Sequence, residues 1–232
     1  MQFQVKRIVF FVMITAFSGG ICFAGYPASN WDIAQLNTGV NAGYLSQLSK
    51  EVILEINKLR SDPAKYAADY IDPLKHNYKG KLFYYAGDKP LLTKEGASAL
   101  YECVRFLKRQ KPVPILKPHK GLSKAASDHV ADQSKHGGTG HTGTGKSGMK
   151  SRIERYGQWR SRIAENITYG DINAQQIVIY LLIDDGIYSR GHRKNFLNEK
   201  FEEIGVATGT HPQYGKMCVM DFAGSFQNYT SK

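Results

Sequence analysis

Several ionisable residues lie in short polar segments, most of them beside a glycine or at the end of an apolar stretch. His141 and His192 each follow a glycine, Glu165 begins a short apolar segment, and Asp184 and Asp185 end an apolar run. Such positions often form the floor or rim of a cleft. Two imidazoles and two carboxylates could bind a divalent cation or act as proton donor and acceptor around a water. Because long stretches of chain separate the segments, spacing alone does not show that these side chains meet.

Each of these residues also has a purely structural interpretation. His141 could hydrogen-bond the backbone of its glycine-rich loop, and His192 could orient its own loop through both ring nitrogens. Glu165 could cap the start of a helix, where a negative charge is favoured. Asp184 and Asp185 follow an apolar segment whose helical dipole would disfavour acids. Their position therefore favours a role other than helix stability.

Other charged residues lie close to these segments. Arg190 and Arg193 flank His192 and could pair with acids of the cleft or with an anionic ligand. His129 lies on an apolar helical face, which indicates a hydrogen-bonded core residue. His136 is adjacent to the glycine-rich loop, and the sequence gives it no definite role.

Hydrophobic periodicity predicts the helices that must position these groups. Apolar residues recur at helical spacing over 45–60, 94–109 and 121–135. Asp62-Pro63 ends the first helix, since the residue before proline avoids the helical region, and a short helix is expected over 64–71. The apolar run 174–183 predicts a buried helix, with a buried strand as the alternative.

The C-terminal part of the chain predicts a β-hairpin. Residues 203–209 and 216–223 are strand-like and flank a turn containing proline and glycine. Residues 76–92 indicate a loop with weak strand character, and residues 137–148 form a glycine-rich loop. Several helices followed by a hairpin predict an α+β domain with helices packed on a sheet.

The N-terminus resembles a secretion signal over residues 1–24. Lys6 and Arg7 precede an uncharged apolar run, and Ala24 offers a small residue for cleavage. A membrane anchor is the alternative, but the run is about half the ~20 residues that a spanning helix needs. A lipidated Cys22 is a third interpretation, which Ile21 disfavours. We therefore expect a secreted or periplasmic protein with a loose lead-in over 25–44, one domain over 45–228 and no later transmembrane segment.

Charge and cysteine content narrow the classes of partner and fold. The formal net charge is +11. This charge favours anionic partners such as envelope surfaces, nucleic acid or acidic glycans. The alternative is an ordinary solvated basic surface without such a partner. Cys103 and Cys218 could form a disulfide in an oxidising compartment or remain buried thiols. They are the two cysteines that would remain after cleavage of the signal peptide, which contains Cys22. Two cysteines do not make a disulfide scaffold, so the hydrophobic core must stabilise the fold.

One motif suggests nucleotide binding. Residues 140–147 read GHTGTGKS and match the phosphate-binding loop pattern. That loop requires a buried strand before it and a helix N-terminus after it. The preceding segment is polar and helical, so we expect no nucleotide partner.

Nine short motifs follow one another along roughly residues 45–225: NKLRSDP, LSKAASDHVADQSKHG, GHTGTGKS, RIERYG, AENITYG, IDDG, RGHRKNFLN, EIGVATG and DFAG. In this order they resemble the CAP superfamily, which includes cysteine-rich secretory proteins, antigen 5 and pathogenesis-related proteins.

The resemblance implies a three-layer α-β-α sandwich with a cleft that holds two histidines and two acids. Carried over by motif, these are His141, Glu165, Asp184 (with Asp185 as the alternative) and His192. Ala164 stands where the family has glycine, and the second acid is an aspartate where eukaryotic members have glutamate. No cysteine-rich domain is appended, which argues against the channel-blocking activity of some venom members.

Three functions follow from this resemblance. The first is a cleft that binds a divalent cation, Zn²⁺ or Ca²⁺, or a small ligand, without established catalysis; the metal ligands are His141 and His192, with Glu165 and Asp184 as further candidates. The second is a metal-assisted or acid–base hydrolase in which Glu165 or Asp184 activates water. The third is lipid or sterol binding in an apolar groove, for which Phe83, Tyr84 and Tyr85 are candidate lining residues.

Overall fold

The computed structural model describes residues 30–85, 89–170 and 173–229. The predicted signal peptide, residues 1–24, lies outside these ranges, and so do the first residues of the expected lead-in. Within the described ranges, no helix combines the length and the apolar character needed to cross a membrane.

The main helices form where hydrophobic periodicity predicts them. Helix α2 begins after Ser46, whose hydroxyl accepts a hydrogen bond from the N–H of Ser49, and it ends at the predicted Asp62-Pro63 boundary. The run 174–183 is a helix and not the alternative strand. The helices are α1 Ile33–Leu36, α2 Gln47–Ser61, α3 Pro63–Tyr66, α4 Ala97–Leu107, α5 Lys120–His136, α6 Met149–Ile153, α7 Ala174–Ile183 and α8 Gly191–Phe196.

The main sheet has four strands in the order β4-β6-β7-β5. Strand β4 pairs parallel with β6, whereas β6 with β7 and β7 with β5 are antiparallel. The predicted hairpin is therefore confirmed as β6 and β7 at the centre of this sheet. The strands are β4 Lys117–Pro118, β5 Gly157–Tyr169, β6 Glu203–His211 and β7 Gly215–Asn228. Within 76–92, three two-residue strands form a separate small sheet: β1 Tyr78–Lys79, β2 Leu82–Phe83 and β3 Leu91–Leu92.

Helices cover both faces of the four-stranded sheet. Helix α5 packs on one face, and α2 and α7 lie on the other. The α5 layer approaches closely because Gly205 of β6 has no side chain: a Cβ atom there would lie 2.1 Å from the backbone carbon of Leu122. The architecture confirms the predicted α+β fold, a three-layer α-β-α sandwich.

The structure differs from the expected loose lead-in, because the described residues 30–44 are packed against the domain. Leu36 at the end of α1 is buried. Its carbonyl oxygen accepts a hydrogen bond from the buried amide of Asn57 in α2, and that amide also bonds both backbone groups of Leu116. One buried asparagine thus fixes this segment, and periodicity does not reveal it.

The two cysteines among the described residues, Cys103 and Cys218, are free thiols and form no disulfide with each other. Cys103 lies in α4 and Cys218 in β7, and both are buried. Burial raises the pKa of each thiol to about 12, because an apolar environment disfavours the thiolate. Both side chains therefore act as small apolar core residues.

Candidate functional site

His141 and Glu165 form the first of two histidine–carboxylate pairs. His141 lies in the loop between α5 and α6, and Glu165 lies in β5. The Nδ1 atom of His141 is 2.9 Å from Oε1 of Glu165. The glutamate side chain is 1% exposed and the histidine side chain 57% exposed. The buried acid therefore holds an imidazole that faces solvent, and the interpretation of Glu165 as a helix cap is wrong because it lies within a strand.

Arg152 of α6 is the second partner of Glu165. Its Nη2 atom donates to Oε2 of Glu165 at 2.7 Å, and both side chains are almost fully buried. Its Nη1 atom donates to the carbonyl oxygens of His141 and Ser147. Arg152 thus neutralises the buried acid and fixes the loop that carries His141.

A third acid, Asp221, adjoins this pair. It lies on β7 directly across from Glu165 on β5 and is fully buried. Neither of its side-chain oxygens has a hydrogen-bond partner among the described residues. Burial, with a further contribution from the negative charge of Glu165, raises the pKa of Asp221 well above its usual range. The raised pKa favours the protonated, neutral form of Asp221.

The hydrogen bond that His141 donates to Glu165 also affects the pKa of His141. It raises the pKa of His141 above the ordinary value, against the opposing effects of burial and of the positive charge of Arg152. The pair is therefore an ion pair at low pH and a neutral imidazole bonded to a carboxylate at higher pH.

His192 and Asp184 form the second pair. Asp184 caps the C-terminus of α7 in the left-handed conformation, with φ 56°. Its Oδ1 atom is 2.7 Å from Nδ1 of His192, and its Oδ2 atom accepts a hydrogen bond from the backbone N–H of the same residue at 3.0 Å. Asp185 instead accepts bonds from the N–H groups of Lys94 and Glu95. Of the two candidate acids, Asp184 is therefore the one that contacts a predicted site histidine.

Strand β5 lies between the two pairs. The amide of Asn166, the residue after Glu165, donates to the carbonyl oxygen of His192 at 3.1 Å. Glu165 and Asn166 are adjacent residues of β5, so one short stretch of this strand contacts both pairs. Because β5 is an edge strand, both pairs flank the same sheet edge.

The structure brings each predicted histidine together with one predicted acid. It does not gather all four into one set of ligands: among the described residues, no group of three or more histidines, cysteines and acids could hold a metal ion. In place of the expected single cluster, the structure has two histidine–carboxylate pairs. They are linked through the neighbouring residues Glu165 and Asn166 of β5.

Arg190 and Arg193, which flank His192, pair with acids outside the two histidine–carboxylate pairs. Arg190 binds Glu95 and Glu102, and Arg193 binds Glu102. The hydrogen bond from Arg190 lowers the pKa of Glu95 to about 2. These arginines therefore tie α8 and the loop before it to α4, and their side chains do not pair with the carboxylates of Asp184 or Glu165.

The glycine-rich loop follows a helix and no strand. Helix α5 ends at His136, and the backbone N–H of Thr144 donates to the carboxylate of Asp132. His129 is fully buried, and its Nε2 atom contacts the carbonyl oxygen of Gly140 at 2.8 Å. This contact confirms the prediction of a hydrogen-bonded core histidine.

Sequence reasoning missed Arg152 and Asp221 as members of the site. Both occur in segments that carry the family resemblance, RIERYG and DFAG. A signal for Asp221 was present, since it is the single charged residue within the apolar strand MCVMDFA and a buried charge needs a partner. Its neighbour across the sheet is Glu165 of β5, whose strand character the sequence did not reveal.

The fold and the paired histidines and acids define a CAP-type domain. The family model for the cysteine-rich secretory protein family, CAP, matches residues 53–222. The chain therefore belongs to the CAP family.

Two bacterial structures are similar to the chain. One is an extracellular protein containing an SCP domain from Bacillus anthracis, with 23% identity, a TM-score of 0.39, and coverage of 48% of this chain and 34% of that chain. The other is an outer surface protein from Borrelia burgdorferi, with 20% identity, a TM-score of 0.41, and coverage of 48% of this chain and 78% of that chain. The chain thus spans about a third of the length of the first structure. A search of curated proteins found no match.

Proposed function

We propose that this protein is an exported CAP-domain protein that binds a divalent cation through His141 and His192. The N-terminal sequence, in which Lys6 and Arg7 precede an apolar run, supports export. One observation carries the binding proposal: a buried carboxylate contacts Nδ1 of each histidine. Metal-binding histidines almost always donate their other ring N–H to such a group.

This pairing determines which ring nitrogen can bind a metal. A carboxylate oxygen only accepts hydrogen bonds, so in each neutral imidazole Nδ1 carries the proton and Nε2 carries the lone pair. Among the described residues, no hydrogen-bond partner contacts Nε2 of His141 or of His192. Both Nε2 atoms are therefore the candidate ligand atoms.

The carboxylates have a supporting role in this proposal. Both oxygens of Glu165 are occupied, by Arg152 and His141, and both oxygens of Asp184 bond His192. Each of the four oxygens therefore already accepts a hydrogen bond from its partner. Glu165 and Asp184 thus orient the imidazoles, and solvent supplies the remaining ligands.

The donor set favours zinc over calcium. Imidazole nitrogen suits Zn²⁺, whereas Ca²⁺ takes six to eight oxygen ligands. Zinc requires the neutral imidazole, and the raised pKa of His141 favours the protonated form. We therefore expect zinc affinity to rise as the pH rises through the pKa of His141.

Calorimetric titration of the purified chain with zinc and with calcium tests the proposal. We expect zinc binding that is lost in the variant His141→Ala/His192→Ala. Equal binding by the wild type and this double variant would contradict the proposal. The fold of the variant is checked by circular dichroism.

Two aspartates that are neighbours in sequence provide a matched pair of variants. Asp184→Asn removes the carboxylate from His192, and we expect zinc affinity to fall by about 10- to 100-fold. Asp185→Asn alters only the contacts to Lys94 and Glu95, so its zinc affinity should equal that of the wild type. Equal losses in the two variants would show that the Asp184–His192 pair has no specific role.

A specific observation favours a second candidate function, lipid binding. An apolar cleft of about 270 Å³ lies between the small sheet and α7 and is lined by Phe83, Leu91, Leu92, Tyr180 and Ile183, among others. Leu92 is 72% exposed, so an alkyl chain in the cleft would cover apolar surface. Mass spectrometry of organic extracts of the purified protein tests this function. Retained lipid that is lost in Leu92→Asp supports it, and extracts that match a blank preparation contradict it.

A further inference from the structure

The small sheet β1-β2-β3 exposes apolar side chains on one of its faces. Its register places Lys79, Leu82 and Leu92 in one row across the three strands, and directly opposite residues of an antiparallel sheet share a face. The neighbouring row contains Phe83, which is buried and lies against Tyr180 of α7. The sheet is therefore packed on the domain by this second row. The first row faces outward, with Leu82 37% and Leu92 72% exposed.

The loop after α7 adds two exposed apolar side chains beside this sheet. Asp185 accepts hydrogen bonds from the backbone N–H groups of Lys94 and Glu95, which follow β3. Ile187 and Tyr188, further along the same loop, are 42% and 82% exposed. Since the two segments are in contact, their exposed apolar side chains lie in one region, which we call the small-sheet surface. A group of exposed apolar side chains indicates an interaction site.

Lysines surround these apolar side chains. Residues 78–94 contain four lysines and one acid, Asp88. The lysines, all exposed, are Lys79, Lys81, Lys89 and Lys94. Among the described residues, no carboxylate lies within ion-pair distance of any of the four.

The acids near these lysines do not balance their charge. Two of these acids are already in ion pairs, Asp72–Lys75 and Glu95–Arg190. Asp88 and Asp185 bring two negative charges against the four lysines, so two positive charges remain in excess. The small-sheet surface is therefore both apolar and basic.

This combination fits a membrane surface better than a protein partner. Interfacial segments place apolar side chains among lipid headgroups and their lysines against anionic lipid. Lysine stems also lie along apolar surface while the ammonium group stays in water. Protein interfaces, in contrast, are depleted in lysine, and a soluble polyanion offers no apolar phase for Leu92 or Tyr188. Anionic lipid is thus the partner whose chemistry matches both features.

We propose that the small-sheet surface docks on a bilayer that contains anionic lipid. Leu82, Leu92 and Tyr188 enter the interface, and the four lysines contact the headgroups. The proposal rests neither on zinc binding by His141 and His192 nor on a lipid retained in the adjacent apolar cleft. Docking covers the outside of the protein and requires no lipid inside that cleft.

Co-sedimentation of the purified chain with vesicles tests this proposal. Vesicles of equimolar phosphatidylcholine and phosphatidylglycerol are compared with vesicles of phosphatidylcholine alone. The first variant is Lys79→Gln/Lys81→Gln. Its matched control is Lys108→Gln/Lys111→Gln, which removes the same charge beyond the other end of α4, about 16 Å along that helix.

A second pair of variants tests the apolar contact. Leu82→Thr replaces an exposed leucine of the outward row by a polar residue that suits a strand. Val40→Thr is its control: Val40 is 56% exposed and lies in the lead-in, where its carbonyl oxygen accepts a hydrogen bond from Lys50 of α2. Circular dichroism checks the fold of each variant.

We expect the wild type and both controls to bind the anionic vesicles more strongly than the neutral ones, and added salt to weaken this binding. Lys79→Gln/Lys81→Gln should weaken it at least about tenfold, since one lysine near an anionic surface contributes about fivefold. Leu82→Thr should weaken it at least about threefold, because less apolar surface enters the interface.

Measurements on the lysine variant separate this proposal from the proposed functions. Lys79 and Lys81 are not among the described residues that line the apolar cleft, and neither contacts the histidine–carboxylate pairs. Zinc affinity and any lipid retained through purification should therefore be the same in Lys79→Gln/Lys81→Gln as in the wild type.

Three results would overturn the proposal. Equal binding to both kinds of vesicle, unchanged by the substitutions, would assign membrane binding to the N-terminal apolar run that all variants share. Equal losses in the two double lysine variants would mean attraction by net charge alone. Loss of binding in Lys79→Gln/Lys81→Gln without any loss in Leu82→Thr would indicate a soluble acidic partner in place of a bilayer.

Discussion

Arg152→Gln should be among the most destabilising single substitutions at the site. Arg152 donates to Glu165 at 2.7 Å and to two loop carbonyls, and only 2% of its side chain is exposed. Removing one partner of a buried ion pair leaves an uncompensated charge, which costs about 3–5 kcal/mol. For a domain of this size that is a fall in Tm of roughly 6–20 °C.

Arg155→Gln is the matched control for this substitution. Arg155 is only three residues further along and also binds a carboxylate, Asp128, at 2.8 Å. The two side chains are 52% and 28% exposed, and exposed pairs contribute about 0–1 kcal/mol. The same chemical change should therefore have a small effect at Arg155 and a large effect at Arg152.

Urea unfolding of the wild type, both single variants and Arg152→Gln/Glu165→Gln measures these effects. The double variant removes both buried charges, so it should be more stable than Arg152→Gln alone by about 1–3 kcal/mol. The reasoning is refuted if Arg152→Gln costs no more than Arg155→Gln, or if Glu165→Gln gives no rescue.

Three further outcomes follow from the structure. Asp221→Asn should stabilise the protein more at pH 8 than at pH 5. The pKa of Asp221 is higher in the folded state than in the unfolded state, so the wild type loses stability as the pH rises above the unfolded-state pKa, by up to about 1.4 kcal/mol per pH unit. Parallel pH–stability curves for the two proteins would contradict this. Glu165→Gln should lower the pKa of His141, measured by NMR titration, because the largest cause of the raised value is its bond to Glu165; an unchanged pKa would argue against the pair. Gly205→Ala should lower the free energy of unfolding, measured in urea, by more than about 3 kcal/mol. The added Cβ atom would overlap the backbone of α5 and force the helix away from the sheet. A variant as stable as the wild type would show that the two layers can move apart without cost.

Periodicity predicted most of the fold because the main helices bury one regular stripe each. Helix α2 shows this most clearly: Val52, Ile56 and Leu59 recur at helical spacing, and all are 0% exposed. Strand β5 was missed because it is an edge strand with arginines and a register shift between Arg160 and Ile163. These features interrupt the alternation that normally reveals a strand.

The candidate site was only partly predictable. Its histidines and acids were found through the order of the family motifs, since the pairs His141–Glu165 and Asp184–His192 join separate segments. Arg152 remained hidden because its partner depends on how α6 packs against β5. Local sequence carries no information about that packing.

Zinc titration followed by ¹⁵N NMR of the histidine side chains tests the central proposal most directly. One equivalent of zinc should shift the Nε2 resonances of His141 and His192 together, while both Nδ1 atoms remain protonated and bonded to Glu165 and Asp184. Saturation of the two rings at separate zinc concentrations, or zinc bound at Nδ1, would contradict a cation shared by the two imidazoles.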